Sequence, residues 1–314
     1  MGKFILKRLL STIIILIATA FLIFTILYFT PTDPADTLLG ATAMVSERIA
    51  LRHKFGLDQP YLVQLGTFFY NTFIKFDLGN SWAFGTPVFQ EMWIRMPRTL
   101  IIGIVAAIVN LLIGIPLGIF AGTNPGKWQD SLTMGIVMIF IAAPNFWVAL
   151  MMIVLFAATL GWLPAYGIGG PQYYVMPIIA SAITGIAVNA RVGRNSILED
   201  FREDYITTAR AKGQKESAVI YKHMLPNALM PIITNVGRIL SSIIAGSPVI
   251  ETVFSIPGVG LYMLIAISER DYPAVRASVM FFALLISVIM LVIDLIYAAV
   301  DPRIKAQFSS GKRG

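Results

Sequence analysis

The chain has 314 residues, 57% of them hydrophobic and only 13% charged, with a mean hydropathy of +0.76. Soluble domains carry about 25% charged residues, so the composition sets a soluble fold aside and indicates an integral membrane protein. The absence of cysteine excludes disulfides and thiolate metal sites, and in a membrane protein the net charge of +7 places basic residues on cytoplasmic loops rather than on nucleic acid.

A bilayer-crossing helix needs about 20 mostly apolar residues. The first such run, 9–30, follows Lys3, Lys7 and Arg8. It is longer than the apolar segment of a signal peptide and lacks a small-residue cleavage site, so it reads as a retained anchor. Residues 31–98 mix charges of both signs with apolar residues at helical spacing, as in Ile49, Leu51 and Phe55, which predicts a small helical cap outside the membrane. Further spans are predicted over 99–121, 132–160, 175–190, 231–250 and 277–299, six in all, the fourth short and interrupted by Pro177 and Gly185. With a cytoplasmic N-terminus, 15 basic residues fall inside and 8 outside, so both termini are expected in the cytoplasm.

Within the second span Gly114, Gly118 and Gly122 recur every four residues, either as a close helix-packing seam or as a sliding face along a pathway. Pro116 and Pro144 mark possible bends. The segment GTNPGKW (122–128) has the wrong glycine spacing for a phosphate loop, and Trp128 stands where a magnesium-holding hydroxyl is needed. The uncharged stretch 161–175 offers Trp162, Tyr166, Tyr173 and Tyr174 as an outer gate or docking rim, or simply as interfacial anchors. His53 and His223 are expected on opposite sides of the membrane, so they cannot share a metal or catalytic site, and no Gly-x-Ser-x-Gly elbow occurs. No catalytic residue, metal ligand or cofactor site is assigned to the chain. Arg238 and Asp294 each lie roughly 10 Å inside a predicted span. Three readings stand: an ion pair between them, an arginine facing the translocation cavity, or snorkelling to the inner surface.

One polar island, 203–222, interrupts the apolar C-terminal part. It is a helix lying under the membrane or one presented to a soluble partner. Its wording is specific. Asp204-Tyr205-Ile206-Thr207-Thr208-Ala209-Arg210-Ala211-Lys212-Gly213, followed at fixed spacing by His223 and Leu225-Pro226, resembles the coupling segment of ABC importer permeases of the oligopeptide/dipeptide/nickel subgroup. The general pattern is Glu-Ala-Ala, three residues, Gly, nine residues, Ile, one residue, Leu-Pro. Thr207 and Thr208 replace its first two positions and His223 its Ile. The resemblance spans nearly the whole chain, through GLDQP (56–60), DLGNS (77–81), GIPLGIFAG, APNFWVAL, ARVGRNS, ETVFSIPGVG and DPRIK (301–305). Thr32, Phe76 and Arg238 depart from it.

The resemblance implies an all-α, six-span type I importer permease in a bacterial or archaeal plasma membrane. Its expected parts are an N-terminal span (1–30), an extracytoplasmic cap (31–98), a core (99–300) with a coupling helix at about 204–222, and a cytoplasmic tail (301–314). It further implies partners: a second homologous permease, two ATPase subunits that hold ATP and magnesium, and an extracytoplasmic substrate-binding protein. The chain itself would be no enzyme. Small Ala209, Ala211 and Gly213 would let the coupling helix approach an ATPase subunit, with Arg210 and Lys212 pairing with acidic residues there. The implied cargo is an oligopeptide or dipeptide, with nickel or metal chelates, glutathione or oligosaccharides as alternatives within the family. A stand-alone channel or membrane enzyme is the alternative of another class.

Overall fold

A computed structural model describes residues 2–31, 33–40 and 43–300. Thr32, the closing DPRIK signature and the expected tail 301–314 lie outside the described residues. The described chain is built from helices: α1 (Gly2–Tyr28), α2 (Pro34–Leu39), α3 (Val45–Lys54), α4 (Tyr61–Phe69), α5 (Val88–Gly122), α6 (Trp128–Ala142), α7 (Asn145–Met152), α8 (Gln172–Asp200), α9 (Asp204–Ala211), α10 (Glu216–Ala218), α11 (Leu225–Val253), α12 (Val259–Ser268) and α13 (Tyr272–Val300). Turns of π-helix extend α4, α7 and α10 at Tyr70–Ile74, Ile153–Thr159 and Val219–Met224.

Five helices are long and apolar enough to cross a membrane, and α6 with α7 and its π turn supply a sixth if counted as one span. That pair covers the third span expected over 132–160 and bends there by 103°. The cause is Pro144, which forces Ala143 into an extended conformation (φ −75°, ψ 128°) and offers no N–H to continue the ladder. The fourth span is not short: α8 runs 29 residues to Asp200. Hydropathy falls at Asn189, Arg191 and Arg194, but these residues keep a helical backbone.

The chain divides into two compact units, Met1–Thr99 with Pro257–Leu291, and Leu100–Ile256 with Val292–Gly314. Residues 257–291 thus pack with the N-terminal part, although chain position groups them with the core 99–300. In the first unit, Asp33 caps α2 through Ala35 N at 2.9 Å, with Pro34 in the first turn. Fully buried Asp271 accepts the Ser81 hydroxyl and the backbone N–H of Trp82 (3.1 Å) and Ala274 (3.3 Å). This ties the DLGNS loop to the start of α13. Trp82 stacks on Phe55 at 4.3 Å, and Thr99 Oγ1 accepts Val259 N at 2.9 Å.

In the second unit the glycine repeat resolves as a packing seam. A Cβ on Gly114, Gly118 or Gly122 would approach α8 to 3.0, 2.8 and 2.7 Å, against Asn189 Cβ, Ala190 O and Ile197 Cβ. Only glycine lets the two backbones come this close. Beside the seam, Arg194 grips Asp130 with two bonds of 2.8 Å, and Asp130 Oδ2 accepts Gly126 N at 3.1 Å. The GTNPGKW segment is therefore a turn whose Gly126 amide is already taken by a carboxylate.

Candidate functional site

The polar island, expected as a coupling helix at about 204–222 broken once at Gly213, folds as a helix, a turn and a second helix. Gly213 adopts φ +73° beyond the end of α9. Lys212 N bonds Thr208 O (3.1 Å), Gly213 N bonds Arg210 O (2.9 Å) and Gln214 N bonds Ala209 O (3.4 Å). This is a left-handed C-terminal cap, which glycine adopts without steric penalty. The chain then re-enters α10, its π turn and α11, with Pro226 in the permissive first turn of α11.

α9 buries one stripe. Ile206 and Ala209, three residues apart, pack with Ile197, Val219 and Met224, and Phe201 and Ile220 close the edges. Ala209 therefore faces the protein interior and is not the surface residue that the motif suggests. The opposite face exposes Asp204, Tyr205, Thr207, Thr208, Arg210, Ala211, Lys212 and Gly213. Two links brace the turn. Arg210 pairs with Glu216 through Nη2 (2.6 Å) and Nε (3.1 Å), and lies over the Phe201 ring at 5.1 Å. His223 Nε2 meets Gln214 Oε1 at 2.8 Å. The hydrogen bond from Arg210 holds the Glu216 carboxyl below its ordinary range, and Glu216 in turn raises the arginine. Arg210 is thus engaged within the chain, while Lys212 and Lys215 are exposed on the turn. Leu225 is half-buried and Pro226 exposed.

Arg238 does not meet Asp294. Its Nε and Nη2 donate to Asn235 Oδ1 at 3.0 and 2.7 Å, one helical turn back, and among the described residues no ion pair joins it to Asp294. Asn235 donates to Asn189 Oδ1 (3.1 Å), and Asn189 donates to Asn110 Oδ1 (2.8 Å). These three amides are buried at 8%, 0% and 1% exposure, and they connect α11, α8 and α5. A Cβ on Gly185 would fall 2.2 Å from Asn110 Nδ2, so glycine makes room for the amide. Of the three readings of Arg238, the ion pair with Asp294 is not formed, because a neutral acceptor on the same helix takes the guanidinium. The asparagines were the missed signal, since polar side chains in apolar spans need partners.

Of the four aromatics of the outer stretch, two are exposed and two half-buried. Trp162 and Tyr166 are each 70% exposed. Tyr173 fills the space beside Gly167 and Gly169, and Tyr174 packs against the buried cluster of Ile102, Met176 and Phe254. Among the described residues no cluster of His, Cys, Asp or Glu could hold a metal ion.

Comparison with known proteins bears on this arrangement. A family described as "Binding-protein-dependent transport system inner membrane component" matches residues 114–306, and a companion describing the N-terminal part of such membrane components matches 1–103. The dipeptide transport system permease protein DppB of Alkalihalophilus pseudofirmus is 35% identical, covering 97% of this chain and 100% of its own. The glutathione transport system permease protein GsiC of Salmonella typhimurium is also 35% identical, covering 97% and 99%. Among solved structures, the inward-facing MetNI methionine ABC transporter superposes with a TM-score of 0.55 at 21% identity, over 68% of this chain and 96% of that one. An amino acid ABC transporter gives 0.54 at 14% identity, over 66% and 92%.

Proposed function

Because this chain belongs to the family of binding-protein-dependent transport system inner membrane components, we propose that it is a permease subunit of an ATP-driven peptide importer, driven through residues 204–215. It is a multi-pass protein of the plasma membrane. The observation that carries the coupling role is the exposed α9 turn, seated on a buried apolar cluster and braced by its own ion pair.

Such a turn can pass on a displacement. Two ATPase subunits bind ATP and magnesium and close as rigid bodies. The exposed face of α9, with Lys212 and Lys215, docks on one of them. Ile206 and Ala209 press on Ile197, Val219 and Met224, so the push reaches the end of α8 and, through α10 and its π turn, the start of α11. ATP hydrolysis belongs to those subunits and not to this chain. A second homologous permease completes the pathway, and a substrate-binding protein delivers cargo on the side of residues 31–98. Both termini lie on the ATPase side. Arg238, held by Asn235, faces the cavity rather than an internal acid, and Trp162 and Tyr166 form the exposed part of the outer rim.

Relatives of equal identity carry names specifying dipeptide, peptide and glutathione transport. Their common element is a peptide backbone, so a short peptide is the cargo proposed here. Reconstitution of the complex in proteoliposomes with its binding protein tests the reading, with ATP-dependent uptake of a labelled dipeptide expected. Uptake of a nickel chelate instead of peptide would overturn the cargo, and uptake without ATPase subunits would overturn the coupling.

A further inference from the structure

Within the unit of Met1–Thr99 and Pro257–Leu291 lies a cavity of about 730 Å³, in the size range of ligand sites. Transport as proposed above gives it no role. Its walls include Phe24 of α1, Phe68 of α4, Asp77 and Trp82 of the intervening loop, and Tyr272 and Arg276 of α13.

Arg276 is the unusual member. Its Nε donates to Tyr272 O at 3.1 Å, and its guanidinium lies over the rings of Phe68 (4.7 Å) and Phe24 (5.5 Å). Among the described residues no carboxylate forms an ion pair with it, and neither Nη group has an acceptor. Asp271, five positions earlier, directs its oxygens to Ser81, Trp82 and Ala274. Arg52, also on the cavity wall, is closed by Asp33 at 2.7 Å. Among the described residues the Asp77 carboxylate accepts only the backbone N–H of Gly79, at 2.8 Å. Among the described residues that line the cavity, Arg276 and Asp77 are thus charged groups without an ion pair, although Asp271 attracts the guanidinium through space. A guanidinium within a span, with N–H donors left over, calls for an anion that can take two bonds at once.

We propose that this cavity holds a phospholipid headgroup from the leaflet on the side of α2–α4, with the phosphodiester on Arg276 and an ethanolamine ammonium toward Asp77. Two observations favour a lipid over a cargo peptide. The α1 stripe that carries Tyr28 and Phe24 continues along the helix into the exposed apolar side chains Phe21 and Ile17, against which acyl chains can lie. The same end of the span carries two aromatic pairs, Tyr28 with Tyr61 and Trp82 with Tyr272, as in the aromatic belt of a membrane interface. The proposal does not depend on the identity of the cargo.

Native mass spectrometry of the complete, delipidated transporter, titrated with phosphatidylethanolamine, tests it. The wild type should retain a lipid, and Arg276→Gln should lower retention about tenfold, as expected for losing a charge-assisted bond. Thr67→Trp, at an exposed residue of the cavity wall, should displace the lipid by filling space while Arg276 stays in place. If Arg276→Gln does not assemble, Thr67→Trp decides alone. Retention equal to the wild type in the variants would overturn the proposal. So would dialanine binding that requires Arg276 and excludes lipid, which would make the cavity a cargo site. Full displacement of lipid by inorganic phosphate would reduce it to a free-anion site and overturn it as well.

Discussion

Two polar regions of the second compact unit are held together in opposite ways. The α9 turn is braced by a charged pair, Arg210 with Glu216, whose side chains are 39% and 55% exposed. The ladder Asn110–Asn189–Asn235 is neutral and nearly closed to solvent. Exposed ion pairs contribute little, because water and salt compete for both partners. Buried amides contribute through what their loss would leave behind, an unsatisfied polar group in an apolar interior. The turn proposed to dock a partner is built from replaceable contacts, and the buried ladder that joins three helices is not.

Four substitutions test this contrast. Gly118→Leu, in the seam beside the ladder, would push a side chain into Ala190 O. It should destabilise by about 3 kcal/mol or more, read as loss of a monodisperse complex in detergent; normal yield would mean that α5 and α8 can separate freely. Asn189→Leu removes the central rung and strands Asn110 and Asn235. A loss of about 2 kcal/mol is expected, measured by denaturant unfolding in micelles. Gly213→Val places a β-branched residue at φ +73°, a strain of roughly 1–2 kcal/mol confined to the turn. Insertion should persist while ATP hydrolysis no longer drives uptake; failure of insertion would assign the turn a folding role instead. Glu216→Gln should shift stability by less than about 1 kcal/mol.

That last pair also has a pH signature. Glu216 is held below its ordinary value of 4.5, so its contribution is full above pH 4.5 and fades as pH falls through the lowered value. Hydrogen exchange over 204–224 should therefore quicken on acidification below that point, and the ladder should not respond. His53 behaves oppositely. Its bond to Asp58 raises it above 6.5, so its contribution is full below pH 6.5 and fades as pH rises through the raised value.

Much of this was legible in the sequence. Composition announced the membrane, and the wording of 204–226 announced the family. Pro144 announced a bend, though not one of 103°. The rest required three dimensions. Hydropathy ended the fourth span at 190 because Arg191 and Arg194 are charged, yet a helix continues where charges find partners, as Arg194 does in Asp130. Depth offered Arg238 an acid on another helix as one of three readings, whereas an acceptor three residues earlier on its own helix was within reach. Ala209 was placed outside by its motif, while its spacing from Ile206 put it inside. The link from Arg210 to Glu216 crosses a reversal at Gly213, and no helical period encodes it.

The hydrogen bond from Ser81 to Asp271 joins residues 190 positions apart. A ribosome adding about 5–20 residues per second delivers the second of them roughly 10–40 s after the first. The N-terminal unit therefore cannot close while it is being made. α1 and the helices after it must wait in the bilayer, with the loop of Trp82 unanchored, until the beginning of α13 emerges. The first part of the protein to be synthesised is thus among the last to be finished, and any factor that shields half-built membrane proteins has its longest task there.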